Sequence, residues 1–327
     1  MLPRSASIRV SYNGKDITDS IGSIIKSASY TDPASGESDT LDLTLSDRDQ
    51  RWIKDWLPEK GAVLTASLSV QNWDADGDTF VQSIGSFTLD RFSFTGMPLE
   101  VTLSGISAPL DKAFSATERT KTWEQVTLQQ IASDIAGRAG LSVFYDADEI
   151  TIKAAEQSEQ TDSDFLEQMC EKYNICLKVY DKKLVLFSRK RYKEKAAAVT
   201  FRGFSAFESL SWETSLPYTG ASLTYTDPDK EEEVTYKTGT DERLLTVSDS
   251  ADSAADAQLK CEAALEEANH SATTLTVTVK GLPTVYAGQC AQVTGCGAMD
   301  GKYYIDKVTH SIGSGFTTDL EMSRIGG

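Results

Sequence analysis

Two ten-residue stretches, GSFTLDRFSF from Gly85 and GKYYIDKVTH from Gly301, carry one pattern. Each opens with Gly, then places an aromatic third, an aliphatic fifth, Asp sixth and a basic residue seventh. Each follows a Gly-initiated strand, at Gly61 and Gly288, and precedes a Gly turn and an alternating run, LEVTLSG from Leu99 and FTTDLEM from Phe316. Alternation with a period of two marks half-buried strands. A unit repeated at wide spacing means one structural job done twice. The pattern therefore predicts two copies of one β-barrel; the alternative is chance similarity between two short strands.

The intervening sequence divides accordingly. Residues 1–112 read as the first barrel: TLDLTLS places Leu41, Leu43 and Leu45 on one face, and AVLTASLSV alternates from Ala62. Residues 113–195 read as a small α+β domain. TLQQIASDIAGRAG is an amphipathic helix with a Thr127–Gln130 capping box, Leu128, Ile131 and Ile135 on one face, and a stop at Gly140. DSDFLEQMCEKYN is a second helix, with Phe165, Leu166, Met169 and Tyr173 facing one way and Asn174 ending it in the left-handed conformation. LSVFYD, ICLKVYD and KLVLFS are short strands, the last two forming a hairpin over Asp181 and Lys182. Residues 196–327 return to β. They begin with a hairpin around Asp227-Pro228-Asp229, continue with an alanine-rich helix from Asp252, and end in four strands. The fold class is mainly β with an α+β insertion: two similar barrels separated by a small domain.

The chemistry-bearing residues name no catalytic, cofactor-binding or metal site. The only histidines are His270, placed as a helix C-terminal cation, and His310 at a strand end, and no nucleophile motif accompanies either. NWDADGDTF resembles a calcium loop through Asp74, Asp76 and Asp78. However, Gly77 falls at the fourth place and Gly85 stands at the twelfth, so turn chemistry is the better reading. Five cysteines without a C-x-x-C exclude a complete disulfide framework by parity and fit no standard zinc spacing, which predicts reduced structural thiols. The net charge of −17 argues against nucleic-acid binding, and no apolar stretch is long enough to span a bilayer. MLPRSASIRVSYNG lacks an apolar core of signal-peptide length, so synthesis in the cytoplasm is expected. The one dense basic run, Arg189–Lys195, reads as a solvated connector or as a contact for an acidic neighbouring subunit.

Four blocks together resemble the phage late control D family, baseplate hub proteins of contractile tails. They are GSFTLDRFSFTGMPLEVTLSGIS, KTWEQVTLQQIASDIAGRAGLSVFYD, EQTDSDFLEQMCEKYNICLKVYDKKLVLF and the closing VTVKGLPTVYAGQCAQVTGCGAMDGKYYIDKVTHSIGSGFTTDLEM, in the expected order across almost the whole chain. The resemblance implies a homotrimer in the tail baseplate of a virion or contractile particle, made in a bacterial host. It would join the sixfold tail tube protein to a threefold central spike and contact other baseplate proteins. The chain stops soon after the second barrel, which implies a separate spike protein. The resemblance does not choose between a DNA-carrying phage, a headless bacteriocin and another injection device. Two other classes stay open: a tail-associated cell-wall hydrolase with a carboxylate pair among the acidic residues, and a peptidoglycan-binding module in residues 113–190.

Overall fold

The computed structural model describes residues 2–73, 75–107, 112–227 and 232–326. The first region contains β1 (Ser5–Tyr12), β2 (Lys15–Asp16), α1 (Thr18–Gly22), β3 (Ile25–Pro33), β4 (Thr40–Ser46), β5 (Val63–Gln71), β6 (Thr79–Thr95) and β7 (Glu100–Ile106). Its core forms as alternation requires. Leu41, Leu43 and Leu45 of β4 and Val101 and Leu103 of β7 are all fully buried, while the residues between them are half-buried. Each such side chain contributes about 1.5–3 kcal/mol on leaving water.

The middle region contains α2 (Lys112–Ala116), β8 (Glu118–Thr127), α3 (Leu128–Arg138), β9 (Ser142–Asp146), β10 (Thr151–Thr161), α4 (Asp162–Lys172), β11 (Ile175–Tyr180), β12 (Lys183–Ser188) and α5 (Arg189–Glu194). The capping box is present: Thr127 accepts from the Gln130 N–H, and the Gln130 side chain accepts from the Thr127 N–H. Gly140 and Asn174 take positive φ after their helices, and Asp181 and Lys182 take it at the hairpin tip. Asp162, in the first turn of α4, is buried and held by the Arg138 guanidinium through two hydrogen bonds of 2.8 and 3.1 Å. Phe165, Leu166 and Met169 fill the space between α4, α3 and the β11–β12 hairpin, with the Phe165 ring stacked on Trp123.

The last region contains β13 (Ala197–Arg202), β14 (Ser209–Thr214), β15 (Gly220–Asp227), β16 (Glu232–Gly239), β17 (Leu244–Val247), α6 (Ala254–His270), β18 (Thr273–Lys280), β19 (Cys290–Thr294), β20 (Gly301–Ile312) and β21 (Phe316–Arg324). β15, β16 and β17 form a separate sheet covered by α6, with its own core around Leu223, Tyr225, Ala257 and Cys261. Alternation along ASLTYTD identifies a strand but not the sheet it joins. Pro228 and Asp229 of the expected turn lie outside the described residues, although the flanking strands pair up to Asp227 opposite Glu232.

The remaining strands of the first and last regions form one continuous sheet in the order β14-β18-β21-β20-β3-β4-β7-β6-β5-β1-β2, with β19 beside β20 and β13 beside β19. Two stretches of it, the first and second sheets below, match in order and direction. β3-β4-β7-β6-β5 and β14-β18-β21-β20-β19 are both antiparallel throughout. The next position differs: β1 lies antiparallel to β5, whereas β13 lies parallel to β19.

Truncating Phe165 to Ala should cost about 3–5 kcal/mol, as for other buried aromatics. Hydrogen-exchange mass spectrometry should show the lost protection in peptides covering α4, β11 and β12, with those of β4 and β7 unchanged.

Candidate functional site

The repeated motif adopts one backbone geometry twice. Gly61 and Gly288 have φ of +86° and +85°. The Gly61 N–H donates to the Leu89 carbonyl at 2.8 Å, and the Gly288 N–H to the Ile305 carbonyl at 2.9 Å. In return the Leu89 N–H donates to Ala62 at 2.8 Å and the Ile305 N–H to Gln289 at 2.9 Å. The aliphatic-Asp-basic triplet is a β-bulge in both copies. The ladder skips Asp90 between Leu89 and Arg91 in β6, and skips Asp306 between Ile305 and Lys307 in β20. A bulge adds one residue to one strand and sharpens the local twist, so each long strand serves β5 or β19 before it and β7 or β21 along it. The aromatic at the third place, Phe87 or Tyr303, is buried in each copy.

The two copies use the bulge Asp differently. Asp90 is exposed. Asp306 accepts from Ser323 at 2.6 Å and pairs with His270 Nε2 at 2.6 Å, which fastens the C-terminal end of α6 to the second sheet.

The copies meet where the second half of β20 pairs with β3, from Lys307 opposite Pro33 to Ile312 opposite Ala28. Beside this ladder lies a buried charged cluster. The Lys178 ammonium of β11 is bonded to Asp32 and sits 2.7 Å from Asp39. The Tyr30 hydroxyl donates to Asp39 at 2.8 Å, and the Ala287 N–H donates to Asp32 at 2.9 Å. All three regions of the chain thus contribute to one point. Burial pushes the Asp39 carboxyl up to about 6; Lys178 opposes this, and the Asp32 charge adds to it. Burial alone would lower the Lys178 ammonium, but the two carboxylates override it and hold the group above its ordinary value. Burial, followed by the neighbouring carboxylates, raises the Tyr30 phenol far above the usual range.

Other candidates resolve into structural roles. His310 lies inside β20 rather than at its end, and is buried. Its Nδ1 is 3.1 Å from the Thr318 hydroxyl, its Nε2 is 3.1 Å from the Val285 carbonyl, and its ring stacks on Tyr30. Burial lowers its pKa. The five cysteines are free and buried. In the acidic loop, Asp78 accepts from the Trp73 and Ala75 N–H groups at 2.8 and 3.0 Å, and Asp76 accepts from Leu2 at 2.8 Å; Asp74 lies outside the described residues. The Asp78 bonds are turn chemistry, as the spacing predicts, whereas the Asp76 bond ties the loop to the start of the chain. No group of three or more metal-ligating side chains occurs among the described residues. The basic run is engaged inside the chain. Arg189 pairs with Glu267, Arg191 with Asp146 and Asp148 at 2.8 and 2.7 Å, and Lys193 with Glu266 at 3.1 Å. Asp32 and Asp39 are the carboxylates that sequence reasoning missed. They are sealed from solvent and share an ammonium, so they offer no cleft to a polysaccharide.

No protein-family model matches the chain. It is 30% identical over 175 residues to a probable baseplate hub protein of Escherichia phage 186, a match covering 53% of this chain and 42% of that protein. It is 33% identical over 162 residues to a probable baseplate hub protein of Escherichia phage P2, covering 49% of this chain and 39% of that protein. The matched segments thus span under half the length of either relative. Among solved structures, the 43 kDa tail protein of prophage MuSo2 from Shewanella oneidensis superposes with a TM-score of 0.74, at 14% identity over 98% of both chains. The chain has the fold of that tail protein, and its sequence resemblance to baseplate hub proteins is matched by relatives so described.

Replacing Lys178 by Met leaves two carboxylates buried together and should destabilise the chain by about 3–5 kcal/mol at about pH 8. The folded-state value of Asp39, about 6, lies above the ordinary 3.8. The folded chain therefore binds a proton between these values that the unfolded chain has released. Stability from this group is fullest below the lower value and is lost as pH rises through the upper one. Without Lys178, which holds the Asp39 value down, Asp39 of the variant takes up its proton at higher pH still, so the variant gains more than the native chain as pH falls and its deficit should shrink towards about pH 5. Urea unfolding across this range measures it.

Proposed function

We propose that the chain is a structural baseplate hub of a contractile tail: a homotrimer that joins the sixfold tail tube to a threefold central spike. The observation that carries this reading is the duplicated sheet, with five strands in the same order and the same bulge at Asp90 and Asp306. A sixfold partner resting on three chains needs two like surfaces per chain. The two sheets, read as two tube-type barrels at residues 1–112 and 196–327, supply them. Only the tube-facing surfaces must agree, which leaves the rest of the second barrel free to carry the β15–β17 sheet and α6. The middle domain, residues 113–195, sits outside the repeat. Relatives described as probable baseplate hub proteins support the assignment.

Within the trimer, residues 85–94 and 301–310 occupy equivalent strands related by a turn of about 60° around the threefold axis. Electron microscopy of assembled particles tests this directly. The expected density is a threefold ring whose tube-facing surface has six near-equal modules; a ring of another order excludes the adaptor role.

The role needs no catalysis. Purified protein should leave peptidoglycan intact in a dye-release assay. Lytic activity abolished by one carboxylate substitution would instead establish the hydrolase.

A further inference from the structure

Within the chain the two sheets are joined through β3 and the second half of β20. Both strands have equivalents elsewhere in the molecule. Followed along the ladders, β6 corresponds to β20, with Arg91 in the place of Lys307; β14 corresponds to β3, with Leu210 in the place of Ala28 and Trp212 in that of Tyr30. These equivalents are not paired with each other. The β5 ladder on β6 ends at Thr88, so among the described residues Arg91–Thr95 have β7 on one side and no strand on the other. Among the described residues β14 ends the sheet, with β18 alone beside it. Arg91, Ser93, Thr95, Ser211 and Glu213 are exposed, and Leu210 is 40% exposed. Unpaired strand edges are templates for another strand, and natural proteins usually blunt them with Lys or Pro. SLSWET of β14 and RFSFT of β6 contain neither.

We propose that β14 pairs antiparallel with residues 91–96 of a second copy of this chain, in the register that β3 and β20 use internally. This rests on the hub reading and specifies how its ring closes. Transferring the register places Phe94 opposite Trp212, the position where His310 stacks on Tyr30 at 6.2 Å within the chain. Ser93 falls opposite Glu213, where the Thr31 and Thr309 hydroxyls approach to 3.3 Å. Thr95 falls opposite Ser211, and Arg91 lies diagonal to Glu213, within reach of its opposite charge. One face of the new ladder is thus aromatic and the other polar, matching the edges that meet. The contact is head-to-tail, because each chain brings one edge of each kind. Such contacts form closed rings when the rotation allows. Internal and intermolecular ladders would alternate, giving six similar joints from three chains.

Cysteine cross-linking tests the register. Ser93→Cys with Glu213→Cys places two exposed thiols on directly opposed positions, and the five native thiols are buried. Mild oxidation at high protein concentration should yield reducible covalent species ending at the trimer, which neither single variant forms. Ser93→Cys with Thr214→Cys puts the thiols on opposite faces and should give none. Trimers seen by light scattering without the in-register link, or with equal linking of both pairs, would overturn the inference while leaving the hub reading intact. A chain that stays monomeric at every concentration, and also with the tube protein added, would overturn both.

Discussion

The arrangement of the three regions depends on the ammonium group of Lys178. Withdrawing a charge from water costs several kcal/mol, and the cost is offset only where hydrogen-bonded partners surround the group closely. Asp32 and Asp39 do so from the first region, and the Ala287 N–H completes the Asp32 carboxylate from the last. The net contribution to stability is small for such clusters, since an apolar filling could do as well. What the cluster adds is selectivity of placement. Shifting the β11–β12 hairpin by one residue would leave three buried charges unmatched. Tyr180, at the tip of that hairpin, also lies against Gly85, where a Cβ would come within 3.3 Å of the ring. The middle domain is thus keyed to the opening of the repeated motif itself.

The duplication is held in the backbone more than in the side chains. Paired glycines of matching φ, reciprocal hydrogen bonds and a bulge at the same step recur in both sheets. The groups mounted on that frame have diverged. Asp306 anchors α6 through His270, while Asp90 faces solvent. β13 runs parallel to β19 where β1 runs antiparallel to β5.

Local signals were legible in the sequence because their physics is local. The Thr127–Gln130 box, the left-handed Asn174, the Asp181–Lys182 turn and the alternating leucines of β4 each involve residues a few positions apart. The repeated motif was legible because glycine and a bulge restrict side-chain choice at fixed offsets. The charged cluster was not, since Lys178 lies 146 positions from Asp32 and neither residue has an unusual local setting. The separate β15–β17 sheet was missed for a related reason: a period of two reports that one face is buried without naming what buries it. The basic run at Arg189 read as a connector because its acidic partners at Asp146, Glu266 and Glu267 come from distant segments.

The ladder between β20 and β3 has a mechanical meaning. β20 of one sheet is laced to β3 of the other, so neither can swing against the other without opening the run from Lys307–Pro33 to Ile312–Ala28. A load directed along these strands would shear the hydrogen bonds as a group, whereas a load across them would open the bonds one by one from an end. The molecule is therefore stiffest along the direction of its longest strands. Stress entering one sheet is passed to the other through the hydrogen bonds of this ladder.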